Sequence, residues 1–114
     1  MRILFLGDVV GKSGCLAVTE KLPVLIKNKK IDFVIINGEN AADQGVGITE
    51  KISNDFFNSG VDVITTGNHV WDQKEIISHI EGEERLLRPI EIHWITPTHS
   101  IINEKCSLGI SLIP

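Results

Sequence analysis

A chain of 114 residues, 42% apolar and 23% charged, has material for one modest core and at most one domain. The formal net charge is −4, and only Lys27, Lys29 and Lys30 cluster, as expected of a solvated helix end. Stable nucleic-acid binding and attraction to anionic membranes are therefore not expected. Cys15 and Cys106 lack CxxC or zinc spacing and read as reduced thiols. No apolar stretch approaches membrane-spanning length, and the run after Arg2 is too short for a signal-peptide core. The expected location is cytoplasmic.

The first predicted strand is the apolar run at residues 3–6, followed by Gly7-Asp8-Val9-Val10-Gly11. Residues 15–27 repeat apolar positions Leu16, Val18, Leu22, Leu25 and Ile26 at roughly helical spacing, with Ser13 as the expected cap and a break or kink at Pro23. A second strand at residues 33–36 leads into Asn37-Gly38-Glu39-Asn40 and a Gly-rich loop at residues 41–47. Thr49 then caps a helix with Ile52, Phe56 and Phe57 on its inner face, closed by Gly60. The third strand, residues 61–64, precedes Gly67-Asn68-His69-Val70-Trp71-Asp72. Asp72 with Glu75 forms an expected capping box for a last helix bearing Ile76, Ile77 and Ile80 and ending at Gly82. From Leu86 onward no sustained period survives, and residues 90–114 read as an irregular tail with one or two short strands.

The pattern β-α-β-α-β-α predicts an α/β fold with a parallel sheet and right-handed crossovers. Ligands gather at the carboxyl edge of such sheets. Asp8, Glu39, Asn40, Asn68 and His69 would converge there as oxygen and nitrogen donors, suited to divalent Mn, Fe, Mg or Zn. A carboxylate such as Glu39 can bridge two cations about 3.5–4 Å apart. Asn68 can fill a coordination position without adding charge, and His69 can act as a general acid.

Plainer readings stand beside this one. Asp8 can cap the following helix, Asn40 and Asn68 can be turn residues, and a lone His69 can be structural. Donors at three strand ends together are harder to explain that way. Gly11-Lys12-Ser13 invites a phosphate loop, but only three residues separate Gly7 from Gly11 where that motif needs four.

Residues 2–11, 35–42 and 67–72, which carry the three motifs, resemble the bacterial branch of calcineurin-like metallophosphoesterases. They are closer still to its small phosphodiesterases of cyclic nucleotides. The likeness runs from Met1 to about Pro89, with Val10 standing where many relatives carry a His ligand. The resemblance implies a metallophosphoesterase-type sandwich of which this chain supplies one half. It implies two divalent ions per complete site, with Asp8 and Asn40 on the first, Glu39 bridging and Asn68 on the second. His69 would protonate the leaving alkoxide of a phosphodiester or cyclic-nucleotide substrate.

Full family members draw further His ligands, including a His-x-His pair, from a second half. His79 reads as an exposed helix residue, and His93 and His99 lack that spacing. The expected division is therefore residues 1–89 as the N-terminal part of a metallophosphoesterase domain and 90–114 as a divergent tail ending an interrupted gene. Two functional expectations follow. The chain is the truncated N-terminal half of a metal-dependent phosphodiesterase, completed by a separately encoded C-terminal half or a homo-oligomer. Alternatively, it is a catalytically inactive remnant or binding module keeping a partial metal site.

Overall fold

The computed structural model describes residues 1–88; the expected tail of residues 90–114, with His93, His99 and Cys106, lies outside them. Four strands stand side by side in chain order, all parallel: β1 (Ile3–Asp8), β2 (Phe33–Asn37), β3 (Val63–Thr65) and β4 (Leu86–Leu87). They are joined by α1 (Gly11–Lys29), α2 (Glu50–Asn58) and α3 (Ile76–Gly82), with a 3-10 turn at Asn68–Asp72 after β3. The parallel α/β architecture expected from the sequence is present, with one strand more. At two residues, β4 is too short to show any period.

Each crossover steps one strand onward in the same direction, and right-handed crossovers of that kind place their helices on one face of the sheet. The core follows. Leu4 and Leu6 of β1, Val34 and Ile36 of β2, Ile64 of β3 and Leu86 of β4 meet Val18, Leu22, Phe56, Ile76 and Ile80 from the helices. The opposite face carries Ile3 and Phe5, exposed at 58% and 59%. Phe56 is wholly buried, and burial of such a side chain contributes about 1.5–3 kcal/mol.

Three local expectations change. α1 begins at Gly11 with Val10 as N-cap and no side-chain cap, so Ser13 lies inside the helix. The helix runs unbroken through Pro23, which is exposed, so the carbonyl it leaves without a donor can turn to water. α3 takes Glu75 as N-cap, and Asp72 closes the preceding 3-10 turn instead of capping a helix. α2 forms as expected, with the Thr49 hydroxyl accepting from the Ile52 N–H at 3.2 Å.

Candidate metal centre at the sheet edge

Asp8 is the last residue of β1 and is exposed. The β1–β2 register slips just before it: Leu6 pairs with Ile36, yet Asp8 pairs with Asn37. An extra residue of this kind re-aims the side chain that follows it. The carboxylate then accepts from Asn40 Nδ2 through both oxygens, at 3.0 and 3.1 Å. Asn40 in turn takes the Gly11 N–H on its backbone carbonyl at 2.9 Å. Asp8 is thus no helix cap, and Asn40 is more than a turn residue. Together they tie the loop after β1 to the loop after β2.

Glu39 precedes Asn40 in that second loop. The Gly38 N–H donates to Thr65 O at 2.8 Å, and Asn37 Nδ2 donates to Thr65 Oγ1 at 3.2 Å, joining the ends of β2 and β3. The Glu39 carboxylate lies directly over Gly67, where an added methyl would fall 2.6 Å from Glu39 Cδ. Gly67 has extended backbone (φ −143°), so space and not conformation calls for glycine here. Asn68 follows at the start of the 3-10 turn, exposed, and His69 comes next with its Nδ1 3.0 Å from Asp72 Oδ2.

The Gly-rich loop at residues 41–47 closes the arrangement from outside. The Gly47 N–H donates to the Glu39 carbonyl, and Gln73 Nε2 donates to Val46 O at 3.2 Å. Gly47 has φ +79°, and a methyl on it would come within 3.0 Å of the His69 carbonyl. One short loop therefore fastens the second motif to the third.

The five predicted site residues stand at or just beyond the carboxyl ends of three adjacent strands, with Asp8 closing β1 and in direct contact with Asn40, and Glu39 against the backbone that carries Asn68 and His69. Neither Asp8 nor Glu39 has a salt-bridge partner among the described residues. Two uncompensated carboxylates flanked by amides form a hard oxygen donor set of the kind divalent cations take. The set is partial, for no group of three His, Cys, Asp or Glu side chains assembles around one point among the described residues. The sequence marks Gly67 as a turn glycine and Asp72 as a helix cap, and the structure gives each a different role. The glycine was visible, but the space above it was not; the His69–Asp72 spacing of three was visible, but its meaning depends on a 3-10 turn.

His79 corrects another expectation. Its side chain is 11% exposed, and Nε2 lies 2.9 Å from the wholly buried Ser53 Oγ, pinning α3 to α2. A cleft of about 390 Å³ lies apart from the strand-edge carboxylates, between α1, α2 and the Gly-rich loop, lined by Lys12, Cys15, Asp43, Lys51, Asp55 and Phe56 among others. The Cys15 thiol donates to Ala41 O at 3.1 Å, and burial, followed by Asp43 and Asp55, pushes its pKa up.

Residues 4–110 match the model of one protein family, described as YmdB-like protein. The chain belongs to the YmdB-like family. The matched span continues past the Arg88-Pro89 pair where the motif resemblance stops. A relative from Bacillus subtilis (strain 168), named 2′,3′-cyclic-nucleotide 2′-phosphodiesterase, is 49% identical over 107 residues, covering 94% of this chain and 40% of that protein. Among solved structures, a hypothetical protein from Thermus thermophilus superposes with a TM-score of 0.70 at 40% identity, over 79% of this chain and 34% of that one. A Mycoplasma pneumoniae protein described as a novel phosphatase gives 0.71 at 36% identity, over 77% and 31%. The YmdB-like chain here thus spans well under half the length of these relatives. No helix among its described residues is long and apolar enough to cross a membrane.

Proposed function

We propose that this chain carries the N-terminal share of a metal-dependent phosphodiesterase centre. The observation that supports it is the meeting of three loops from adjacent parallel strands, with the Asp8 and Glu39 carboxylates and the Asn40 and Asn68 amides on them. The donor set suits two divalent ions, drawn from Fe, Mn, Mg or Zn: Asp8 and Asn40 toward the first, Asn68 toward the second, and Glu39 between them. Such ions, when bound, supply a nucleophile from water at neutral pH and offset charge growing on a phosphoryl group.

The protein groups do the rest. Asn40 holds the Asp8 carboxylate in one orientation through two hydrogen bonds. Gly67 leaves room for the Glu39 carboxylate to lie between the second and third loops. His69 carries the proton needed by the departing alkoxide, and Gly47 braces its backbone. A phosphodiester, including a cyclic nucleotide of the kind named for the Bacillus relative, is the proposed substrate. The cytoplasm is the proposed location. A second reading, a binding module with a partial metal site and no turnover, is favoured by the absence of a three-residue His, Cys, Asp or Glu cluster among the described residues. In the first reading, a separately encoded C-terminal half or a second copy of the chain completes the centre.

The test is to load the purified chain with Mn²⁺, dialyse it, and assay bis(p-nitrophenyl) phosphate and a 2′,3′-cyclic nucleotide. Retained metal that is lost in Asp8→Asn and Glu39→Gln, with turnover of the cyclic nucleotide abolished in His69→Ala, is the expected result. Retained metal without turnover selects the binding module. A chain that keeps no metal overturns both readings.

A further inference from the structure

The third loop gives Asp72 a task other than capping. Side chains three apart in a 3-10 segment eclipse one another, so the turn Asn68–Asp72 stacks Asp72 on His69, with Oδ2 3.0 Å from Nδ1. In an α-helical turn the same spacing would offset them. The turn itself is rigidly seated: Val70 is wholly buried and its N–H donates to Gly67 O at 3.1 Å. Gln73, next in sequence, is bonded to the Gly-rich loop through Gln44 Oε1 and Val46 O, each at 3.2 Å. α3 begins beyond it with Glu75 as N-cap, which leaves the Asp72 carboxylate to the imidazole.

We propose that Asp72 is the positioning residue for His69. An ionised carboxylate only accepts hydrogen bonds, so a neutral ring beside it carries its proton on Nδ1. Nε2, which has no hydrogen-bond partner among the described residues, is then the nitrogen presented outward. This rests on the reading of His69 as general acid. In that step the ring is in its acid form with a proton on each nitrogen: the Nε2–H bond breaks as an O–H bond forms on the leaving oxygen, the electron pair stays on Nε2, the P–O bond breaks toward that oxygen, and the ring is left as the neutral Nδ1–H form that Asp72 holds. Both side chains are about two-fifths exposed (41% and 44%), so the pair adds little to folding and its effect is orientation. Wrong-tautomer loss without loss of fold is the expected consequence of removing it.

Two readouts test this. Long-range ¹H–¹⁵N spectra of the labelled chain at alkaline pH, with His69 assigned through His69→Gln, report the tautomer directly. The native chain is expected to show Nδ1–H. Asp72→Ala, and Asp72→Ser as a second truncation too short to reach the ring, should revert to the Nε2–H form that free side chains favour. The same tautomer in the native chain and in both truncations overturns the proposal. With Mn²⁺ supplied, Asp72→Ala should lose about tenfold or more on a diester with an alkoxide leaving group and much less on a p-nitrophenolate ester, which departs without a proton. Equal losses on the two esters overturn the positioning role. A tautomer shift in a chain with no turnover would uphold the pairing while removing the hydrolytic reading of the site, so the two fail separately.

Discussion

The Glu39 carboxylate rests on the bare Cα of Gly67, and this contact brings the loop after β2 onto the loop after β3. Two loops separated in sequence by α2 and β3 thereby share one surface. No hydrogen bond between them has that effect on Glu39 itself; its position follows from the missing side chain at Gly67.

Gly67→Ala should therefore weaken divalent metal binding while leaving the fold intact. The added methyl meets Glu39 Cδ at 2.6 Å, and the half-buried Glu39 side chain can swing outward to relieve it. Altering a group that orients a proposed ligand typically costs roughly 10–100-fold in affinity, and a loss of that order is the expected result. Calorimetric Mn²⁺ titration checks the affinity and thermal unfolding checks the fold. Native-like affinity in the variant would show that Glu39 does not act from this position.

His79→Ala should destabilise the chain by about 1 kcal/mol, a typical value for a lost intramolecular hydrogen bond. The Ser53 hydroxyl it leaves is wholly buried but still donates to Glu50 O at 2.8 Å, which limits the penalty. Urea unfolding of the variant against the native chain measures it. An unchanged midpoint would mean that α3 is held on α2 by Ile76 and Ile80 alone.

Cys15 should alkylate more slowly in the folded chain at neutral pH than in urea. Burial first, then Asp43 and Asp55, hold its thiol above the ordinary range, so less thiolate is present. The stability consequence has a definite sign. The unfolded thiol ionises first as pH rises, so the stability it contributes is complete below the ordinary thiol range and declines above it. Cys15→Ser should remove that alkaline decline, as measured by unfolding at a series of pH values.

Glu83 predicts the opposite slope in acid. The Arg85 guanidinium, which also lies 3.9 Å over the Phe57 ring, donates to both Glu83 oxygens at 2.9 and 3.1 Å and holds the Glu83 pKa below the usual glutamate value. Its contribution is present above the ordinary glutamate range and is lost as pH falls through the depressed one. The Arg85 side chain is half exposed, which screens the pair although Glu83 is mostly covered, so no more than about 1 kcal/mol is involved. Glu83→Gln should lower stability at neutral pH and flatten this acid dependence in the same unfolding series.

The positions of Asp8, Glu39, Asn40, Asn68 and His69 at strand ends were legible because each follows an apolar run whose length marks a buried strand. Runs of this kind announce themselves locally. Glycine spacing identified the loops, and Thr49 identified the start of α2, again through short-range rules. Pro23 misled because propensity describes an isolated helix, whereas here the outer face of α1 lets water take up the freed carbonyl. His79 misled for the complementary reason: mid-helix spacing does not say that a buried serine waits on another helix.

Sequence alone determined the order of β1 to β3 and of the three helices, the α/β class and which side chains stand at the sheet's carboxyl edge, since these depend on neighbours a few residues apart. Only the tertiary structure decided that Asp8 turns to Asn40 and not to the α1 terminus, that Glu39 occupies the space above Gly67, and that Asp72 leaves helix capping for His69. Those choices depend on distances between segments the chain brings together only by folding, and no local pattern of residues carries that information.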